Sequence, residues 1–144
     1  MTVDGRQPHI LLVNDTQEIL DLLQELLEGE GYRATTAIAL LNIDKIKSLA
    51  PDAIVLEILF EHSDTRGWEF LTLVRLDPDL AQLPLILCTA ATSVVRDEAM
   101  AAKLRQLNVH VVLKPFNIDE ILAVLAEVLS EGRAAVSPAE LHRS

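Results

Sequence analysis

Polar side chains stand at the ends of several apolar runs in this chain, where together they could form a site. They comprise two carboxylates, an amide, a hydroxyl and an ammonium group, on Asp15, Glu57, Asn14, Thr89 and Lys114. Glu57 is the most unusual, because it interrupts the apolar stretch 51–60 where a buried strand should be ending. A charge at such a place is costly unless it has a partner. Glu57 is therefore expected to have one.

The pattern of apolar residues predicts five short strands, each followed by a helix. The unbroken Ile/Val/Leu run before Glu57 is typical of a strand covered on both faces, as in a parallel sheet. The strands are predicted at residues 9–13, 32–37, 51–57, 84–88 and 109–113. The helices are predicted at residues 16–28 (capped by Asp15 or Thr16), 38–49, 68–76, from Thr92 or Ser93 to about 107, and from Asn117 to about 130.

Strands that alternate with helices in this way predict an α/β doubly wound sheet. The carboxyl ends of parallel strands lie at one rim of such a sheet, and ligands bind outside that rim. Asn14, Asp15, Glu57, Thr89 and Lys114 are therefore expected to converge there. We predict one domain over residues 8–130, followed by a flexible tail over residues 131–144.

Composition excludes several classes of function. The net charge is −10 and aromatic residues make up 3% of the chain, which argues against a nucleic-acid surface. No apolar run is long enough for a membrane helix, and no secretory signal is evident at the N-terminus. The single cysteine, Cys88, excludes an internal disulfide and fits a reducing cytoplasm, the expected location.

The order and context of the polar residues resemble the receiver domain of bacterial two-component response regulators. In that family an acidic pair follows strand 1, the phospho-accepting aspartate follows strand 3, a Thr or Ser follows strand 4, and Lys-Pro follows strand 5. The matching positions here are Asn14-Asp15, Glu57, Thr89 and Lys114-Pro115. The resemblance implies a flavodoxin-like fold with five helices and strand order 2-1-3-4-5.

Family membership would also imply chemistry at the rim. Ordinary receivers accept a phosphoryl group on the aspartate, with Mg²⁺ held by the acidic pair and that aspartate. The lysine and the hydroxyl then bind the phosphoryl oxygens. By this resemblance the protein is a signalling module and not an enzyme.

This chain departs from the family pattern at four places. Glu57 replaces the acceptor aspartate, which moves the carboxylate outward by roughly 1.5 Å. Asn14 removes one carboxylate of the acidic pair. Val111 stands where the family usually has an aromatic switch residue, three positions before Lys114. The loop from Glu57 to Gly67 is longer than usual and lacks the usual proline.

These departures predict a degenerate receiver that is not phosphorylated. A misplacement of about 1 Å can cost on the order of a hundredfold in rate, which disfavours transfer to Glu57. Glu57 would instead fill part of the phosphoryl volume and pair with Lys114 or accept a hydrogen bond from Thr89. No cofactor is required under this hypothesis. Mg²⁺ would bind weakly, through Asp15 and Glu57.

The predicted role is phosphorelay-type signalling by a stand-alone receiver through protein–protein contact, with a histidine kinase or a downstream effector as the partner. The resemblance implies the helix 4–strand 5–helix 5 face, about residues 92–130, as the partner or homodimer surface. One alternative is a single-domain regulator that is phosphorylated. A more distant alternative is a small flavodoxin-like nucleotide-binding protein or enzyme. That alternative lacks a glycine in the loop after strand 1.

Overall fold

A five-stranded parallel sheet forms the centre of the molecule in the computed structural model, which describes residues 7–57, 66–89, 98–113 and 118–136. The strands are β1 (His9–Asn14), β2 (Arg33–Ala37), β3 (Ala53–Glu57), β4 (Leu85–Thr89) and β5 (Val109–Leu113). Their order is β2-β1-β3-β4-β5, and all neighbouring pairs are parallel. The predicted flavodoxin-like doubly wound fold is therefore confirmed.

Helices cover both faces of the sheet. Within the described residues they are α1 (Gln17–Gly29), α2 (Ile43–Leu49), α3 (Arg66–Leu76), α4 (Glu98–Gln106) and α5 (Ile118–Val136). None of the helices in this part of the chain is both long and apolar enough to cross a membrane.

Two separate apolar cores follow from the alternation of side chains along the buried strands. Ile10 and Leu12 of β1 point to the core that packs against α1 and α5. Leu11 and Val13 point to the opposite core, which packs against α2, α3 and α4. Because successive side chains of a strand face opposite sides, a strand buried on both faces must be apolar throughout. Its first polar residue consequently marks the rim.

Two predicted helix boundaries were wrong. The second helix begins at Ile43 and not at residue 38, because the Asn42 side chain accepts a hydrogen bond from the Lys45 backbone N–H at 2.8 Å and caps the helix there. The last helix runs past the predicted end near Ser130 to Val136. The predicted caps of the fourth and fifth helices, at residues 92–93 and 117, lie outside the described residues.

Arg75 joins three segments at the end of the sheet opposite the polar rim. Its guanidinium donates to the backbone carbonyls of Leu80 (3.3 Å), Leu83 (2.6 Å), Leu107 (2.5 Å) and Asn108 (3.2 Å). The side chain therefore ties α3 to the turn before β4 and to the turn before β5. Burial lowers the pKa of the guanidinium, which nevertheless stays charged at neutral pH.

His9 begins β1 and is buried at the amino end of the sheet, with 5% of its surface exposed. Its Nε2 lies 2.7 Å from the Thr35 hydroxyl, and its backbone N–H donates to the Asp52 carboxylate at 2.7 Å. Burial lowers the pKa of the His9 imidazole, and the positive charge of Arg33 lowers it further. The fold therefore favours neutral His9.

Replacing Arg75 by lysine should lower the free energy of unfolding by about 1–3 kcal/mol, because one ammonium group cannot satisfy four carbonyls from two turns. Urea unfolding followed by circular dichroism measures this change. Arg105→Lys is the matched control: Arg105 is exposed on α4, and its replacement should change stability by less than about 0.5 kcal/mol. Equal effects of the two substitutions would show that the carbonyl contacts do not stabilise the fold.

Acidification should destabilise the protein through His9. The unfolded chain binds a proton at this residue near pH 6.5, whereas the folded chain resists protonation to a lower pH. The His9 contribution to stability is thus fully present above about pH 6.5 and is lost as the pH falls below it. Urea unfolding from about pH 7.5 to about pH 5.5 should show this decline, and His9→Gln should reduce its slope. An unchanged slope in the variant would rule His9 out as the source.

Candidate functional site

The polar rim is centred on two buried residues at the carboxyl ends of adjacent strands. Asn14 ends β1 and Glu57 ends β3, and the two are register partners in the parallel pair. Their exposed fractions are 2% and 8%. The register follows from the apolar runs before them, since burying both strands on both faces brings both first polar residues to the same level of the sheet.

A side-chain hydrogen bond joins these two residues. The Asn14 amide Nδ2 donates to Oε2 of Glu57. On its other side, Oδ1 of Asn14 accepts a hydrogen bond from the Thr16 backbone N–H at 2.8 Å. The orientation of the amide is fixed by both contacts, because turning it over would place oxygen against the carboxylate and NH₂ against an N–H group. Glu57 therefore has a specific donor.

The sequence pattern predicted Asn14 as a pocket residue but did not indicate it as a partner of Glu57, for which Lys114 and Thr89 were the predicted partners. Thr89 ends β4 and is the register partner of Leu113, so it lies at the same rim. Lys114 and the Thr89 side chain lie outside the described residues, and their predicted contacts with Glu57 remain predictions. The predicted order 2-1-3-4-5 indicates only that the ends of strands 1 and 3 lie side by side, and not that Asn14 donates to Glu57.

Asp15 differs from its neighbour by being exposed. Its Oδ1 lies 3.3 Å from the Thr16 hydroxyl, which donates to it. Thr16 is the N-cap of α1, as one of the two predicted alternatives had it, but its side chain makes no capping hydrogen bond. The Thr16 N–H is instead satisfied by Asn14. Asp15 therefore offers a solvated carboxylate beside the buried pair.

Val111 lies on β5 with Leu87 of β4 as its register partner. The side chain is partly buried and packs against the core formed with α2, α3 and α4. A valine is short and stiff about χ1, so it has no second rotamer comparable to the inward and outward positions of a large ring. The position expected to carry a switch aromatic is occupied by a fixed core residue.

The described side chains at this rim do not by themselves fit Mg²⁺, the ion that the family resemblance implies. Mg²⁺ requires oxygen ligands in near-octahedral arrangement. At Glu57 one carboxylate oxygen faces an amide N–H, and the Asn14 oxygen faces a backbone N–H. Within residues 7–57, 66–89, 98–113 and 118–136, no three His, Cys, Asp or Glu side chains are grouped so that they could hold a metal ion.

Comparison with known proteins places the chain in a family. A family model described as the response regulator receiver domain matches residues 10–126, which include Asn14, Asp15, Glu57 and Thr89. The match also covers Val111 and Lys114. All the candidate site residues therefore fall within the matched region.

Two curated relatives and one solved structure illustrate the similarity. The chain is 31% identical over 137 residues to the transcriptional regulatory protein ZraR of Klebsiella oxytoca, covering 94% of this chain and 29% of that protein. It is 33% identical over 119 residues to the transcriptional regulatory protein YvrH of Bacillus subtilis, covering 79% of this chain and 46% of the relative. The chain thus spans less than half the length of these relatives.

A solved CheY-like response regulator receiver domain protein from Methanospirillum hungatei has the same fold. The TM-score is 0.72 at 22% sequence identity, covering 90% of this chain and 98% of that structure. Strand order, polar rim and family match agree with one another. The chain belongs to the response regulator receiver domain family, whose members are signalling domains of two-component systems.

Proposed function

We propose that this protein is a pseudo-receiver, a receiver domain that signals through protein–protein contact without accepting a phosphoryl group. The observation that carries the proposal is the buried pair of Asn14 and Glu57 at the acceptor position. The carboxylate that corresponds to the phosphoacceptor is already engaged by a neutral donor. The contacts of the Glu57 carboxylate are therefore determined by the fold and not by a phosphodonor.

Phosphoryl transfer to Glu57 is disfavoured by geometry and by burial. The extra methylene of glutamate displaces the nucleophilic oxygens by roughly 1.5 Å, and transfer needs in-line alignment of attacking and leaving oxygens. Only 8% of Glu57 is exposed, and Oε2 accepts the Asn14 N–H. Attack on a phosphodonor would therefore require both movement of the side chain and loss of this hydrogen bond.

The fixed carboxylate gives the pocket a constant charge. Ionised Glu57 carries −1, whereas a phosphoryl group adds close to −2. Mimicry of a phosphorylated receiver by Glu57 is therefore partial. Val111 supports a fixed state as well, since the valine packs against the core and offers no large side chain at this position to turn inward or outward.

The surface formed by α4, β5 and α5 is the proposed contact for a histidine kinase, a downstream effector or a second copy of the chain. On α4, Lys103 and Arg105 are exposed, and the Lys103 ammonium lies 5.0 Å from the centre of the Trp68 ring on α3. On α5, Asp119 and Glu120 are exposed in the first turn. Basic groups on α4 and acidic groups on α5 give this surface both signs of charge, which favours oriented contact.

The second candidate function is a regulator that is phosphorylated at Glu57 or at a neighbouring acid. One observation favours it: Asp15 is exposed at the rim, where a phosphodonor or a cation could reach it. The distant alternative, a flavodoxin-like nucleotide-binding protein or enzyme, gains no support from the described contacts.

Intact-protein mass after incubation with acetyl phosphate and Mg²⁺ should distinguish the two candidates. The natural protein is expected to gain no phosphoryl group. The double variant Asn14→Asp/Glu57→Asp, which restores both family carboxylates at shorter reach, should gain one. Glu57→Asp alone should be labelled more slowly, because the Asn14 amide remains beside the new acceptor.

Asn14→Asp/Glu57→Asn is the matched control for the double variant, since it keeps the length of the side chain at position 57 but has no nucleophilic carboxylate. A stable phosphoryl group on Glu57 of the natural protein would refute the proposal and establish the second candidate. Absence of labelling in the double variant would show that the rest of the pocket has also lost its competence.

A further inference from the structure

The side chain of Glu57 places a carboxylate in a buried position. A carboxylate removed from water needs hydrogen-bond donors or a cation beside it, because desolvation otherwise costs several kcal/mol. Here the Asn14 amide supplies a donor at Oε2. We propose that this amide takes the place of a divalent cation at the rim, so that Asn14 positions Glu57 and makes the pocket independent of Mg²⁺.

The amide and a cation exclude each other at Glu57. A cation could reach Oε2 only by displacing the Nδ2 group, whose hydrogens point at the carboxylate and whose nitrogen has no free lone pair to donate. Turning the amide over would offer Oδ1 to the cation. It would also break the 2.8 Å bond from the Thr16 N–H at the start of α1.

The Thr16 bond therefore holds the donor side of Asn14 toward Glu57. Thr16 belongs to the N-terminus of α1, where backbone N–H groups lack partners within the helix. Satisfying one of them with Oδ1 stabilises the helix start and fixes the amide with the same atom. Two hydrogen bonds of the Asn14 side chain, from Nδ2 to Glu57 and from the Thr16 N–H to Oδ1, therefore exclude the cation.

An aspartate at position 14 would favour a cation beside Glu57 instead of excluding it. Residues 14 and 57 are register partners at the ends of adjacent strands, and both are buried. Two carboxylates at this distance repel each other, and a cation between them would relieve the repulsion. Together with the exposed Asp15 they would form a three-carboxylate site. The change from amide to carboxylate is expected to turn a metal-independent fold into a metal-dependent one.

Thermal unfolding with EDTA or with about 10 mM MgCl₂, at matched ionic strength, tests the inference. The midpoint of the natural protein should be the same in both. The midpoint of Asn14→Asp should be lower in EDTA and should rise by about 3–8 °C in Mg²⁺. A site with Kd near 1 mM would shift its unfolding equilibrium about tenfold at this concentration, which corresponds to a rise of that size.

Asn42→Asp is the matched control, because it makes the same chemical change at an exposed cap of α2 and keeps the oxygen that accepts the Lys45 N–H. Its midpoint should not respond to Mg²⁺. An equal rise in the natural protein and in Asn14→Asp would overturn the inference. So would a lowered midpoint in Asn14→Asp that Mg²⁺ does not restore.

A measurement on the natural protein keeps the test valid if Asn14→Asp does not fold. Mn²⁺ is paramagnetic and binds the same oxygen ligands as Mg²⁺. During titration with Mn²⁺, the side-chain NH₂ signals of Asn14 in a ¹⁵N spectrum should broaden no more than those of Asn42. Selective broadening at Asn14 that persists in Asp15→Asn would place a cation at the pair and overturn the inference. No phosphodonor is present in either experiment, so the inference and the proposed function can fail separately.

Discussion

The pairing of β1 with β3 is the constraint on which the site depends. Both strands are buried on both faces, so their registers are fixed by apolar packing and not by the polar residues at their ends. This packing brings Asn14 and Glu57 next to each other, and both residues are buried. At that point a carboxylate without a donor would be strongly unfavourable, and the amide of Asn14 supplies one such donor.

The two substitutions relative to the family pattern are best understood together. Glutamate at position 57 reaches further than aspartate, and asparagine at position 14 replaces a like charge with a donor. Glutamate at position 57 with aspartate at position 14 would place two carboxylates side by side. Aspartate at position 57 with asparagine at position 14 would place a shorter acid farther from the amide. Together the two substitutions form a neutral–anionic hydrogen bond, and Oδ1 of the same Asn14 side chain accepts the Thr16 N–H. The pocket is thereby linked to the start of α1.

The opposite end of the sheet is organised by other means. Arg75 binds backbone carbonyls of the turns before β4 and β5. The imidazole of His9 contacts Thr35 and its backbone N–H donates to Asp52, while burial and the charge of Arg33 favour the neutral imidazole. These contacts fix the connections between elements, whereas the contacts of Asn14 fix the functional rim. The molecule thus separates stabilising polar contacts at one end of the sheet from the candidate site at the other.

Much of the fold followed from local pattern. Apolar runs and helical periodicity identified all five strands and the general positions of the helices, because burial on two faces or on one stripe dictates those patterns. The start of α2 was wrong, since the Asn42 cap decides it and Ile38 continues the apolar pattern without joining the helix. Polar residues at strand ends located the rim, and the family motif supplied the strand order. Sequence could not reveal that Asn14 is the donor to Glu57. That contact depends on strands 1 and 3 lying side by side in register and on the amide being oriented by the Thr16 N–H, which only the tertiary structure decides.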